Sequence, residues 1–147
     1  MKIAIGSDHG GFRLKEEIVA QLAQLQLEVK DFGTHSGEAI DYPEIAEVVA
    51  KAVVTKEFDL GILICGTGIG ISIAANKIKG VRAAVCGDVF SAQMAREHNN
   101  ANILALGERV IGSGLARMIV ETFLKTEFAG GRHAKRVDKI SRLEEDC

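Results

Sequence analysis

A thiol stands directly before a run of glycines in the middle of this chain. Cys65 is followed by Gly66, Gly68 and Gly70 at alternate positions, with Thr67 among them. A helical pattern follows at once through Ile73, Ala74 and Lys77, and Gly80 closes it. Backbone N–H groups at a helix N-terminus attract negative charge. A thiol in that field is drawn toward its thiolate, the reactive form. Two readings fit Cys65: a small buried hydrophobe, as free cysteines usually are, or a base at an anion-binding loop. The glycines likewise fit close packing of helix on sheet, or backbone that must approach a ligand.

Other residue types add to this. Asp8 fits a helix cap and equally an acid or base. His98 stands near a helix end, where a positive charge suits the dipole. His35 reads as a solvated loop residue. Arg109, Arg132, His133, Lys135 and Arg136 form a basic set, most of it just after Gly130 and Gly131. Such a run is commonly a solvated face. In a chain of formal charge -2 it also fits a phosphate site, since the arginine fork donates two bonds at once. Histidine pairs at metal-ligand spacing are missing, so no metal site is expected. Cys86 falls inside an apolar strand and reads as core, and Cys147 as an unconstrained terminal residue.

The elements that must place these residues alternate. Strands are expected at Lys2 to Gly6, at Glu28 to Phe32, through Ile62–Ile64, at Arg82 to Cys86 and at Ile103 to Leu106. The third is a continuous apolar run, as a strand buried on both faces requires. Between them run helices with one apolar face each: Leu14, Ile18, Leu22 and Leu25; then Ile45, Val48, Val49 and Ala52 behind Pro43, a residue suited to a helix start; then the segment after the glycines. A fourth helix opens at Asp88 and runs to His98. Asn99, Asn100 and Asn102 mark a loop. A fifth, Gly112 to Lys125, carries Leu115, Ile119 and Phe123.

Alternation of this kind implies an α/β fold: a Rossmann-like three-layer α/β/α sandwich around a five-stranded parallel sheet. A last amphipathic helix, with Val137, Ile140 and Leu143, comes after the alternation is complete. It either reaches to a second subunit or packs on its own sheet. In such sheets ligands bind beyond the carboxyl ends of the strands. That rule gathers Asp8, His9, Cys65, Thr67, Asp88 and Arg109.

Length and composition set the frame. The chain has 147 residues, the usual size of one domain, and the whole of 1–147 reads as one. A chain of that size buries roughly 70% of its unfolded surface without staples. Its charge gives no reason to expect nucleic acid or a membrane surface as partner. The opening residues read as a strand rather than a signal peptide, and no apolar stretch approaches the roughly 20 residues of a membrane span. Three cysteines without Cys-x-x-Cys spacing point to a reduced, cytoplasmic setting. The glycine loop is Gly-x-Gly-x-Gly after the third strand. It is not the Gly-x-Gly-x-x-Gly dinucleotide fingerprint, and it has no Walker lysine. Asp88, about twenty residues on, still leaves a nucleotide-binding module open.

Taken together, Gly-Ser-Asp-His-Gly-Gly-Phe at 6–12, Asp-Tyr-Pro at 41–43, Cys-Gly-Thr-Gly-Ile-Gly-Ile-Ser-Ile-Ala-Ala-Asn-Lys at 65–77, Glu-His-Asn at 97–99 and Gly-Gly-Arg-His at 130–133 resemble type B ribose-5-phosphate isomerase. The resemblance spans essentially the whole chain, and galactose-6-phosphate isomerase subunits share the fold and several motifs. It implies interconversion of ribose 5-phosphate and ribulose 5-phosphate through a cis-enediolate, with Cys65 as the base and no cofactor. By the same resemblance Asp8, His98 and Thr67 serve ring opening and hydroxyl proton transfer. Backbone at Gly66, Gly68 and Gly70 holds the enediolate oxygen with help from Asn99, and Tyr42 lines the sugar. His9, Arg109, Arg132, His133 and Arg136 surround the phosphate. It further implies a homodimer, or a dimer of dimers, with sites shared between subunits and residues from His98 onward supplied by the partner. A related branch has a glutamate base after the glycines; Ile71 and Ser72 stand there in this chain. The competing readings are an isomerase of galactose 6-phosphate or allose 6-phosphate, a non-catalytic nucleotide-binding module, and a thiol redox protein. The last lacks a resolving cysteine near Cys65.

Overall fold

In the computed structural model, which describes residues 1–146, the chain forms strands β1 (Lys2–Ser7), β2 (Glu28–Asp31), β3 (Leu60–Cys65), β4 (Ala83–Val85) and β5 (Ile103–Gly107). They alternate with helices α1 (Phe12–Gln24), α2 (Tyr42–Val54), α3 (Ile69–Ala75), α4 (Val89–Glu97), α5 (Ser113–Lys125) and α6 (Arg132–Leu143). Cys147 lies outside the described residues.

The apolar run at β3 dictates the sheet. All of its residues are buried, so it needs a strand on each edge and helices on each face. The strand order is β2-β1-β3-β5-β4, and every pairing is parallel. Ile5 pairs with Ile62 and Ile62 with Leu104, so side chains of one face stack across strands. That face, with Ile3, Ile5, Ile62, Ile64, Leu104 and Leu106, meets Leu14, Ile18 and Leu22 of α1, Ala92 of α4 and Ile119 and Phe123 of α5. The opposite face, with Ala4, Leu63, Ile103 and Ala105, meets Ile45, Ala46 and Val49 of α2 and Ile71 of α3. The three layers expected from the alternation are present.

Boundaries differ from expectation for physical reasons. The helix predicted to run through Lys77 ends at Ala75. Beyond it Lys77 and Ile78 donate to carbonyls three residues back, Ala74 and Ala75, which tightens the turn and stops an α-helix. The fourth strand is shorter than predicted because side-chain amides take over its pairing. Asn76 accepts from the Ala83 N–H at 2.8 Å and donates to its carbonyl at 3.0 Å. Asn102 accepts from the Arg82 N–H at 2.8 Å. The free edge of β4 is thus covered by an amide instead of a further strand. Leu25, Val48 and Leu115, predicted on buried helix faces, are exposed, so the packed stripes are narrower than the apolar sets. In α6 only one of the three stripe residues, Val137, is buried, while Ile140 and Leu143 are exposed.

Candidate active site

From β1 the chain moves to the β2 edge, and from β3 it moves toward the opposite edge. The crevice between β1 and β3 at their carboxyl ends is therefore the switch point, where sheets of this class hold ligands. Asp8 follows β1 and Cys65 ends β3, so the acid and the thiol flank it.

Asp8 is buried, and its Oδ1 accepts the Gly10 N–H at 2.8 Å. It caps a single 3-10 turn, His9–Gly11, that precedes α1. The turn leans on the next loop: a Cβ at Gly10 would come within 3.2 Å of the Gly66 nitrogen. Cys65 is also buried, and its Sγ accepts the Gly68 N–H at 3.1 Å. Gly68 is the N-cap of α3 with φ +79. In that left-handed conformation the amide turns back toward the last side chain of β3. An N–H donor on sulfur supports negative charge there.

The other two glycines also make room for side chains. Where Gly66 would carry a Cβ, the Arg109 guanidinium Nη1 lies 3.2 Å away; where Gly70 would, the Tyr42 ring lies at 2.7 Å. The glycine loop is thus roofed by Arg109 from the β5 end and by Tyr42 from the start of α2. The Arg109 loop is fixed in turn by Glu108 and Arg109 N–H bonds to the Cys65 and Gly66 carbonyls, both 3.0 Å. Sequence reasoning missed Glu108, whose Oε2 accepts the Leu14 N–H at 3.0 Å and ties the head of α1 to this loop. Its signal was an acid placed directly after an all-apolar strand. His9 is exposed, and its Nδ1 accepts the Ile40 N–H at 3.3 Å, which leaves Nε2 as the outward donor. Thr67 is exposed and accepts the Ile69 N–H at 3.1 Å.

Asp8, His9, Tyr42, Cys65, Gly66, Thr67, Gly68, Gly70 and Arg109 are therefore gathered in one place. His98, Asn99, Arg132, His133 and Arg136 are not with them. Helix α4 starts beyond β4 and returns to the first residue of β5, so its end lies at the amino edge of the sheet. At 1.5 Å per residue α4 alone spans about 14 Å. There His98 and His133 stack with ring centroids 4.1 Å apart and planes 9° from parallel. The start of α6 is held to the end of α4 by the Ala129 N–H on the Glu97 carbonyl at 3.0 Å. Burial, and then the neighbouring His98, Arg132 and Arg136, hold His133 below the ordinary imidazole range against the pull of Glu97. The structure forms two half-sets at opposite ends of the sheet.

Asp88 is committed elsewhere. Its two oxygens accept the Ser91 N–H at 2.7 Å and the Ser91 hydroxyl at 2.8 Å, and these bonds hold its carboxyl below its ordinary range. The acidic residue that a nucleotide-binding reading needs is thus a helix cap. Among the described residues no group of three or more His, Cys, Asp and Glu could hold a metal ion, and no helix is long and apolar enough to cross a membrane.

Comparison with known proteins agrees with this fold. The model of the ribose/galactose isomerase family matches residues 3–140. Ribose-5-phosphate isomerase B of Escherichia coli is 56% identical, over 98% of this chain and 97% of its own length. The ribose-5-phosphate isomerase B structure from Clostridium thermocellum superposes with TM-score 0.98 at 61% identity, covering 99% of each chain. The enzyme from Mycoplasma genitalium, solved with bound ribulose-5-phosphate, gives TM-score 0.95 at 46% identity over 99% of this chain and 97% of that one. By both sequence and fold, the chain belongs to the ribose/galactose isomerase family.

Proposed function

We propose that this isomerase interconverts ribose 5-phosphate and ribulose 5-phosphate with Cys65 as the base. The observation that carries the reading is the Gly68 N–H on Cys65 Sγ at the head of α3, beside Asp8 across the β1–β3 crevice. Abstracting a proton next to a carbonyl needs a base able to give it back. The thiolate takes the proton from C2 of the open-chain aldose, and the C1 carbonyl oxygen becomes the enediolate oxygen. The same proton returns to C1 while the O2 hydroxyl proton moves to O1, which leaves the ketone at C2. Atoms and charge balance without an outside oxidant or a redox cofactor.

The backbone N–H groups of the Gly66–Gly70 loop hold the enediolate oxygen, each well-placed donor contributing about 3 kcal/mol. Asp8 and Thr67 move hydroxyl protons and assist ring opening, and Tyr42 bounds the sugar. His9 and Arg109 take one side of the phosphate. The remaining groups, His98, Asn99, Arg132, His133 and Arg136, reach the thiol from a second copy of the chain, because their own chain places them at the other end of the sheet. A two-fold pair makes two such sites at once.

Ketose formation from ribose 5-phosphate, by the wild type and by Cys65→Ala with chelator present, tests this reading. The wild type turns over. The variant loses about 10²- to 10⁴-fold in kcat, the range for a positioned general base, and keeps its affinity for the substrate. Substantial turnover by Cys65→Ala would remove the thiol from its role. Faster turnover of galactose 6-phosphate or allose 6-phosphate by the wild type would reassign the substrate.

A further inference from the structure

The loop that follows α4 carries His98 and Asn99; it is irregular, with Asn99 exposed, His98 and Asn100 half-buried, and Asn100 at φ 47. Two arginines converge beneath it. Arg82, from just before β4, donates through Nε to the Asn99 and Asn100 carbonyls at 3.1 and 3.2 Å, and through Nη2 to the Asn100 carbonyl at 3.0 Å. Arg96, on the last turn of α4, donates through Nη1 to the Asn100 side-chain oxygen at 3.1 Å and to the Ala101 carbonyl. Its guanidinium also lies 5.6 Å above the Phe123 ring.

This is an unusual use of two cations. Both are half-buried, and each is close enough to the other for repulsion to register; Arg82 feels Glu144 as its opposing charge. Desolvating two like charges side by side is unfavourable unless hydrogen bonds repay it. Here the bonds go to three successive peptide units and one amide. A guanidinium suits that task because its planar fork fixes direction as well as distance. A single C-terminal cap would need only one cation near the last carbonyls.

We infer that Arg82 and Arg96 are positioning residues of the isomerase site: by gripping the Asn99–Ala101 peptides they set where His98 and Asn99 stand. The inference rests on the shared-site reading above, in which each site joins the Cys65 half of one chain to the His98–Asn99 half of the other. Arg82 then acts on the second half alone and leaves the Cys65 half of its own chain intact.

Complementation separates this from a plain stabilising role. Arg82→Gln is expected to lower kcat for ribose 5-phosphate tenfold or more. Co-expressed with Cys65→Ala in equal amounts, random pairing makes half of the dimers mixed, and each mixed dimer has one complete site, so about one quarter of wild-type activity returns. Co-expressed with His98→Ala it restores nothing, because both chains lack the same half. The reverse pattern, or near wild-type kcat in folded Arg82→Gln alone, overturns the inference. Arg82→Lys serves if Arg82→Gln does not fold, since it keeps the charge and loses the fork. In Arg82→Lys the amides of 99–102 are expected to exchange hydrogen at least tenfold faster than in the wild type, with the sheet unchanged; unaltered exchange there also overturns the inference. Failure of Cys65→Ala and His98→Ala to complement one another would instead count against the shared site, and the exchange result then decides the grip by itself.

Discussion

Cys65 and Cys86 are both buried thiols, and their neighbours give them opposite chemistry. Cys65 accepts an amide hydrogen from Gly68, whereas Cys86 faces the Ala84 carbonyl at 3.8 Å and acts as a weak donor. Burial, reinforced by Asp88, pushes the Cys86 thiol up to about 11, so it stays protonated and inert. The glycines made Cys65 legible in the sequence, because a thiol before a helix N-terminus meets amides; Cys86, expected inside the fourth strand, lies just past its end. The histidine stack was not legible. His98 and His133 are far apart in the chain, and nothing in either local pattern says that α6 folds back on the end of α4. The stack has a measurable consequence. Native His133 is held below the ordinary imidazole value of about 6.5, while the unfolded chain titrates normally. Between the native and unfolded values the unfolded state holds more protons, so stability rises with pH through that window. Acidification below about pH 6.5 therefore costs the wild type stability at this ring. His133→Gln removes the titration and keeps a polar side chain of similar reach. Thermal midpoints at about pH 7.5 and about pH 5.5 are expected to fall further in the wild type than in the variant; equal falls would show that His133 is not the group responsible.

The element that organises the site is the junction of β3 and α3. Its strand was readable from an unbroken apolar run, and its helix start from the glycines, since both signals are local. The ends of α3 and β4 were not, because α3 stops in a tightened turn at Lys77 and Ile78 and β4 is shortened by Asn76 and Asn102 bonding to backbone outside their own elements. At the junction itself Gly68 is held on two counts. Its φ of +79 strains any L side chain, and an added Cβ would lie 2.9 Å from the Leu106 carbonyl carbon. That neighbour is backbone of a central strand and has little room to give. Gly68→Ala is therefore expected to lose about 1–2 kcal/mol from the left-handed backbone alone, and more if Leu106 must move. The same shift draws the N–H away from Sγ, so kcat should fall beyond what the folded fraction explains. Urea unfolding and steady-state kinetics on one preparation measure both. A variant of unchanged stability would mean that the loop adapts, and full turnover in a destabilised one would separate the amide from catalysis.

At the scale of the molecule, strand order divides the site. The switch point collects Asp8, Cys65 and Arg109, while α4, running back along the sheet, carries His98 and Asn99 to the other end. Alternation in the sequence foretold the sheet, and the carboxyl-end rule gathered Asp8, His9, Cys65, Thr67 and Arg109 but wrongly added Asp88, which caps α4. What one chain leaves incomplete depends on its surface. Ile69 and Ile73 of α3 are both exposed, Ile73 at 56%, and Val85 of β4 reaches within 3.2 Å of where Gly68 would carry a Cβ. Phe90, at the start of α4, is 70% exposed. These apolar side chains lie on the elements that lead away from the thiol loop, where, in the shared site proposed above, a second copy would dock to bring its own His98 to Cys65. A charge placed there separates association from folding. Ile73 projects outward, and an exposed position tolerates substitution within about 0.5 kcal/mol, so Ile73→Asp is expected to leave the fold of the single chain intact. Facing a second copy, the same carboxylate would be buried without a partner, which is strongly unfavourable. Light scattering is then expected to report the mass of one chain, with an unchanged far-ultraviolet circular dichroism spectrum and no turnover of ribose 5-phosphate. A one-chain species with wild-type turnover would mean that each chain completes its own site despite the separation of the two half-sets. An undissociated, active Ile73→Asp would place the interface elsewhere, and α6, with Ile140 exposed, would become the surface to charge next.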